Sequence, residues 1–530
     1  MSKTRSKFFA CILVVLSLLS TCCLSAKTIK IKKSNVFDLI IADKYIVSDK
    51  IDLKGRKITL PNNCQLVLRR KGCFANGTIE GNNVELKCSG SRIYFCRDVS
   101  LVGHNWKAAL AYSEWFDAHP DCTLHNDGSF VDGTDNYQSF QNLLKFNNVQ
   151  IKEGVYFVDG NLQTLRSNQT IEGNGAVIKG QLKNRFAGIL SVGSHFPTNE
   201  KTENVLIANL VLIGVKNEAT METQWAHGVV VKNANNVKLS RITCMLCKGD
   251  GFNIAETYLE GQMTHPSNVE LVDCFAESNY RCGLSITGGS SIKIVNSVFN
   301  NAEGQDPQAG IDVEPNVYKN EDGSLLTSEC EDIYIDNCVF NNNHKHAVKL
   351  ESPSVCDELG SFPIRKIVIS LCAMNNNGVS IWRVDSLDIK QCSIVSNIET
   401  NGIVFQNEIQ RNVTLDDIYI YNSSEGKPVA DGVYFSPGHT RNNVSLSNIR
   451  IKGNYKYGLF IPSDEKYKGT ITQVSFRNIS IGNAWHGFFV GNLVGDASYT
   501  NIETSELGTT EEGRKMDGRT WGWSVHKHND

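Results

Sequence analysis

Apolar and polar residues along this chain fall into short alternating runs that recur from about residue 205 onward. The recurring phrase is X-Gly-h-x-h, with h apolar. It reads His227-Gly228-Val229-Val230-Val231, Asp250-Gly251-Phe252-Asn253-Ile254, Cys282-Gly283-Leu284-Ser285-Ile286 and Ala309-Gly310-Ile311-Asp312-Val313. His346-Ala347-Val348-Lys349-Leu350 puts alanine in the glycine place, and the series continues through Gly378, Gly402, Gly432, Gly458 and Gly487. Successive glycine (or Ala347) positions lie 23 to 37 residues apart. A second alternation comes later within each repeat, as in Asn236-Val237-Lys238-Leu239 and Asn412-Val413-Thr414-Leu415. A third comes directly after it, as in Asn337-Cys338-Val339-Phe340. Period-two runs this short, separated by Asn and Gly turns, are strands and not helices. One such repeat cannot bury its apolar face alone, whereas a stack of them forms one continuous core. The expected fold is all-β, a parallel β-helix over residues 150–500, right-handed by the usual crossover rule.

Two segments precede the repeats. Residues 27–112 hold short strand-like phrases such as Lys57-Ile58-Thr59-Leu60 and are expected to form a small β-region or extra coils. Then come Asp132-Gly133-Thr134-Asp135, a short amphipathic stretch over 136–146 and Gly154-Val155-Tyr156. This predicts a turn, a helix that caps the open core, and a first strand. That entry phrase, with the repeats behind it, resembles the pectin-lyase-like superfamily of right-handed parallel β-helices. The resemblance covers about residues 113 to 500 and leaves 501–530 as a C-terminal tail. It implies a carbohydrate-active protein but no particular reaction, since lyases, hydrolases, epimerases and phage tailspikes share the fold.

The N-terminus reads as a secretion signal over residues 1–26: Lys3, Arg5 and Lys7, an apolar run from Phe8 to Leu19, and small residues up to Ala26. Leu19-Ser20-Thr21-Cys22 is a poor lipobox, so a secreted or periplasmic protein is expected rather than a lipid-anchored one. No later run is apolar enough to span a membrane. Net charge is -3, which gives no footprint for nucleic acid. Of the 17 cysteines, 14 lie beyond the signal. Cys244, Cys274, Cys338, Cys372 and Cys392 occupy similar places in different repeats. They are expected to stack as buried, mostly unpaired thiols rather than as a disulfide framework.

Registering the repeats turns the sequence into a surface map. In X-Gly-h-x-h the residue x points outward, as does the residue after the second h. The first outward column reads Val230, Asn253, Ser285, Asp312, Lys349, Ser380, Val404. The second reads Lys232, Ala255, Thr287, Glu314, Glu351, Trp382, Gln406. Asp312, Glu314, Lys349 and Glu351 therefore form a two-by-two square, with neighbouring coils ~4.8 Å apart and residues on one strand roughly 7 Å apart. These four are the candidate catalytic residues in a solvent-facing groove. Asp250, Asn253, Arg281, His346, Trp382 and Arg383 are the candidate substrate-binding residues around them. The loops Pro315–Cys330 and Ser352–Pro363 should wall the groove. A surface ion-pair ladder is the competing reading of the same charges. His227 and His486 read as turn residues.

Paired carboxylates suit glycoside hydrolysis, which needs one acid and one base or nucleophile. Lys349 would keep one of them ionised while burial raises another. β-Elimination from a uronate polymer is the alternative, with Lys349 or Arg383 moving the proton and Asn253, Asp312 and Glu314 placed so that they could hold a Ca²⁺. A third reading is a non-catalytic glycan-binding protein that stacks sugars on Trp382.

Overall fold

The computed structural model describes residues 27–39, 41–182, 187–218, 225–356, 360–397, 399–406, 409–437, 441–461, 471–490 and 497–505. The expected signal over 1–26 and all but the first residues of the expected tail lie outside them. The chain forms two compact units that meet between Ala118 and His119, six residues beyond the boundary expected at 112.

The first unit is itself a short parallel coil. Thr28–Ile31, Lys44–Val47, Gln65–Leu68 and Glu85–Lys87 pair side by side, all parallel. Lys57–Thr59, Gly77–Glu80 and Val99–Val102 form a second parallel face. Rings of Phe74, Phe95 and Phe116 stack down its interior.

The second unit is a right-handed parallel β-helix. Among the described residues helix is confined to about 3%, as the period-two pattern requires. The capping helix spans Tyr137–Leu143, shorter than 136–146, and buries Phe140 and Leu143. Asn136, wholly buried before it, donates to the carbonyls of His119, Thr134 and Phe157 and so ties the turn to the first coil. At the other end, the strand Ala497–Ser505 continues the coil past the expected limit at 500.

Two long sheets run the length of this unit. One has twelve strands and extends from Leu162–Thr164 to His486–Val490. It carries every X-Gly-h-x-h phrase, including the one that bears Asp312, and is termed the site sheet. The other holds the second and third alternations of each repeat. In the site sheet the observed register is the one the sequence implies. Val230, Asn253, Ser285, Asp312, Lys349, Ser380 and Val404 pair in succession, and Tyr434 and Phe460 extend the row.

The glycine of the phrase has a steric cause. A Cβ on Gly283 would lie 2.6 Å from the carbonyl oxygen of Gly310, and one on Gly402 would lie 2.5 Å from that of Gly432. Each coil's corner is thus pressed against the backbone of the next. Core side chains close the same space from inside, Phe299 against Gly283 and Ile420 against Gly402.

The inward thiols are buried and unpaired, Cys274, Cys338, Cys372 and Cys392 all at 3% exposure or less. Cys338, Cys372 and Cys392 succeed one another in a single row. Cys244 departs from the expected ladder: it pairs with Ala276, one inward position further along the strand than that row.

Gly402 lies away from the candidate site, so it isolates the packing constraint. Gly402→Val should lower stability by about 1–3 kcal/mol or more, the cost of overpacking against fixed backbone. Thermal unfolding followed by circular dichroism checks this. An unchanged midpoint would show that the coils are not closely stacked there.

Candidate functional site

The square of charges assembles as the register demands, but it is not the open groove the sequence suggested. Asp312 is 1% exposed and its strand neighbour Ser285 also 1%. Asp250 and Asn253 are buried too. Outward direction on a strand is therefore not exposure here. Glu314, Lys349, Glu351 and Trp382 remain half-buried at the opening.

The carboxyls of Asp312 and Glu314 do not stay a full strand step apart but abut one another. Burial, then the adjacent Glu314 carboxylate, push the Asp312 carboxyl well above the usual range, against the opposing pull of Lys349 and Arg281. Asp312 thus holds its proton to higher pH than an ordinary aspartate. One Asp312 oxygen, Oδ1, has no hydrogen-bond partner among the described residues. On the next coil Lys349 forms an ion pair with Glu351. The same small area therefore holds a carboxyl pushed toward its protonated form and, on the next coil, a carboxylate–ammonium ion pair.

Behind Asp312 lies a charged network that includes a residue read from sequence as a mere turn. His227 is 5% exposed, and its Nδ1 accepts from the backbone N–H of Asp250 at 3.0 Å and lies 3.2 Å from Asp250 Oδ2. Arg281 approaches the same oxygen at 3.6 Å and lies under the ring of Trp225. Burial would raise the Asp250 carboxyl, but Arg281 and His227 outweigh it and hold it below its ordinary value. His346 sits at the same edge, and burial with Lys349 and Lys345 nearby lowers its pKa to about 4, so it is neutral.

Arg383 is placed elsewhere. It is 1% exposed, donates from Nε to the carbonyl of Ser361 at 2.7 Å, and lies over Phe362. Its work is to hold the loop after Glu351, so it is withdrawn as a substrate-binding residue. The three residues considered for Ca²⁺ are also not gathered. Ser285 pairs between Asn253 and Asp312, which puts those two about 9.6 Å apart, two strand spacings. Among the described residues no group of three or more His, Cys, Asp or Glu is arranged to hold a metal ion.

A second cluster escaped the sequence reading. Glu256, 2% exposed, accepts from Thr287 Oγ1 at 2.8 Å, from Asn316 Nδ2 at 2.8 Å and from the Tyr318 hydroxyl. These contacts anchor one wall. The segment after Glu314 is a hairpin, Val317–Lys319 against Leu325–Thr327, and a second hairpin pairs Thr257–Leu259 with Gln262–Thr264. Tyr258 and Tyr318 stack between them at 4.3 Å. The available signal was position: Glu256 directly follows Ala255, the last outward residue of its strand, and is the acid nearest the square on that side.

No protein-family model matches this chain, and no curated protein matches its sequence. Solved structures do match. The A-module of a mannuronan C-5 epimerase from Azotobacter vinelandii is 17% identical with a TM-score of 0.55, over 74% of this chain and 99% of that one. The catalytic unit of an alpha-1,3-glucanase from Streptomyces thermodiastaticus is 14% identical with a TM-score of 0.44, over 78% and 71%. PfbA, a surface adhesin of Streptococcus pneumoniae, is 12% identical with a TM-score of 0.46, over 75% and 92%. At these identities the likeness is one of fold. The chain has a right-handed parallel β-helix fold.

The protonation of Asp312 has a testable sign. In the unfolded chain an aspartate ionises near ~3.9, while the native group holds its proton to higher pH. Above pH ~4 the unfolded state sheds a proton that the native state keeps, so this group's contribution to stability declines as pH rises toward the native pKa. Asp312→Asn, which keeps the shape and cannot ionise, should remove that decline. The wild-type melting temperature should fall relative to the variant between pH 4 and neutrality. Parallel profiles would mean that Asp312 is ionised in the native state.

Proposed function

We propose that this protein is a polysaccharide-acting enzyme that hydrolyses glycosidic bonds at the Asp312–Glu314–Lys349–Glu351 cluster. The observation that carries the reading is the buried Asp312 carboxyl, pushed well above the usual range beside Glu314, with Glu351 ion-paired to Lys349 on the next coil. Hydrolysis asks for that division of labour, one carboxylic acid and one carboxylate on the two sides of the scissile bond.

In this reading Glu314, the half-buried member, meets the substrate. It gives a proton to the leaving oxygen as the bond to the sugar carbon breaks. That proton is the one Asp312 held, relayed through Glu314, and the Asp312 carboxylate that remains faces Arg281 and Lys349. Glu351 acts on the opposite side, as base toward water or as nucleophile toward the sugar carbon. Trp382, beside Glu351 on the next coil, offers a ring surface for a neighbouring sugar. The two hairpin arms restrict water over the acids, which keeps their pKa values apart. The fold shared with the mannuronan epimerase supports an extended glycan as substrate class.

Elimination from a uronate polymer is the second reading, favoured by one observation: Arg281 and Lys349 both stand beside the acid pair, where a sugar carboxylate could be neutralised. Product chemistry separates the two. Elimination leaves an unsaturated, ultraviolet-absorbing sugar, and hydrolysis leaves only a new reducing end. Across a panel of host and plant polysaccharides, Asp312→Asn and Glu351→Gln should each lower turnover by about 10²-fold or more, the usual loss on removing an acid or base. Retained activity in both variants on the true substrate would refute the assignment. Loss of activity with Lys349→Ala and with a chelator, together with unsaturated products, would favour elimination.

A further inference from the structure

A second groove lies on the other long sheet, away from the acid cluster. Its floor is an outward row running across five coils: Tyr334, Val368, Asp388, Thr414 and Ser445 pair in succession. Its rim is the neighbouring turn row, Asp332, Lys366, Ser386, Asn412 and Asn443, all with left-handed backbone at φ between 52° and 63°. That turn lifts the rim above the sheet at each coil, so floor and rim together enclose about 410 Å³. The floor spans four strand spacings, roughly 19 Å.

The side chains divide into those already occupied and those available. Asn443 donates to Asn412 at 2.9 Å, and Asn412 donates to Asp385 at 2.8 Å. Lys366 is bound to Glu331 at 2.6 Å, and Ser445 accepts from Ser475 at 3.0 Å. Asp388 and Thr414, adjacent on the floor, make no side-chain hydrogen bond or ion pair among the described residues. Tyr334, at the end of the row, is 41% exposed.

We propose that this groove is a non-catalytic holding site for an extended neutral polysaccharide, with Tyr334 and Asp388 as its principal contacts. An aromatic ring offers a surface for a sugar's C–H face, while a carboxylate and a neighbouring hydroxyl receive and return sugar hydroxyl groups. The repeat of the coils presents these groups along one axis, which suits a chain rather than a compact ligand. The unpaired floor charge is negative and the rim's Lys366 is already neutralised, which selects against uronate or sulfated polymers and against nucleic acid. The inference rests on the reading that the protein handles polysaccharide, but it does not use the acid cluster.

The test is affinity electrophoresis of the full-length Asp312→Asn protein, which holds glycan without turning it over. Gels contain galactomannan, xyloglucan or arabinan, with polygalacturonate as the anionic control. At least one neutral polymer should retard the protein. Tyr334→Ala and Asp388→Asn should each weaken that retardation by about tenfold, equivalent to ~1.4 kcal/mol, with unchanged melting temperature. The same two substitutions in the wild-type background should leave turnover of short oligosaccharides unchanged. Absence of retardation by any neutral polymer, retardation by polygalacturonate alone, or undiminished retardation in the double variant would overturn the proposal. Loss of the Asp312 effect on turnover would instead overturn the catalytic reading and leave this one standing.

Discussion

The structure depends on the close approach of one coil's backbone to the next. Parallel ladder hydrogen bonds, each contributing about 1 kcal/mol net, fix successive coils one strand spacing apart. At the corner of each coil that spacing leaves no room for a side chain, because a Cβ there would meet the neighbouring Gly or Ala carbonyl. Glycine is therefore needed at a place set by the stacking itself and not by turn conformation alone. Ala347 is the one exception in the middle of the series, and it follows a coil whose own corner is Gly310. Once the corners are stacked, every residue two places on has a defined neighbour above and below, whatever the loop length between repeats.

That constraint explains how the acid cluster can exist. Residues separated by 37 positions in sequence, Asp312 and Lys349, become direct strand partners. Left alone, two carboxylates and a lysine at such spacing would relax into an exposed ion-pair ladder of little energetic weight. Here Asp312 is buried while Glu314, Lys349 and Glu351 are only half-buried, so water screens the like charges poorly at the deepest carboxyl. The cheaper state is for one carboxyl to keep its proton, and the member that does so is the deeper one. The buried carboxylate of Glu256 is satisfied by groups from both Thr287 on the sheet and the hairpin segment after Glu314.

The legible part of this architecture was whatever the repeat encodes. The strand register, the inward thiols at Cys338, Cys372 and Cys392, and the neighbourhood of Asp312, Glu314, Lys349 and Glu351 all come from aligning X-Gly-h-x-h. What escaped lies between the phrases. Arms such as 257–264 and 317–327 lie outside the repeating phrase, so their path cannot be aligned. Arg383 was misplaced for a related reason. It follows the outward Trp382 and is turned away from the acid cluster, toward the loop at Ser361 and Phe362. His227 looked like one more residue preceding a glycine. Its role appears only when the coil after it supplies Asp250, and the coil after that supplies Arg281.

A solenoid with two long faces can also separate chemistry from holding in a way a compact domain cannot. The inward residues of both sheets form one core, but the outward rows are independent because alternate residues point away from it. An acid cluster costs stability through buried like charge, and the site sheet bears that cost on three or four middle coils. The opposite face carries no such cluster, and its Asp388 and Thr414 stay on the open floor of a groove that runs with the coil axis. A polymer lying along one face would thus find its ring stacked and its hydroxyls met at intervals set by the same ladder spacing that brings the acids together on the other. The repeat that builds the core supplies the metric for both surfaces.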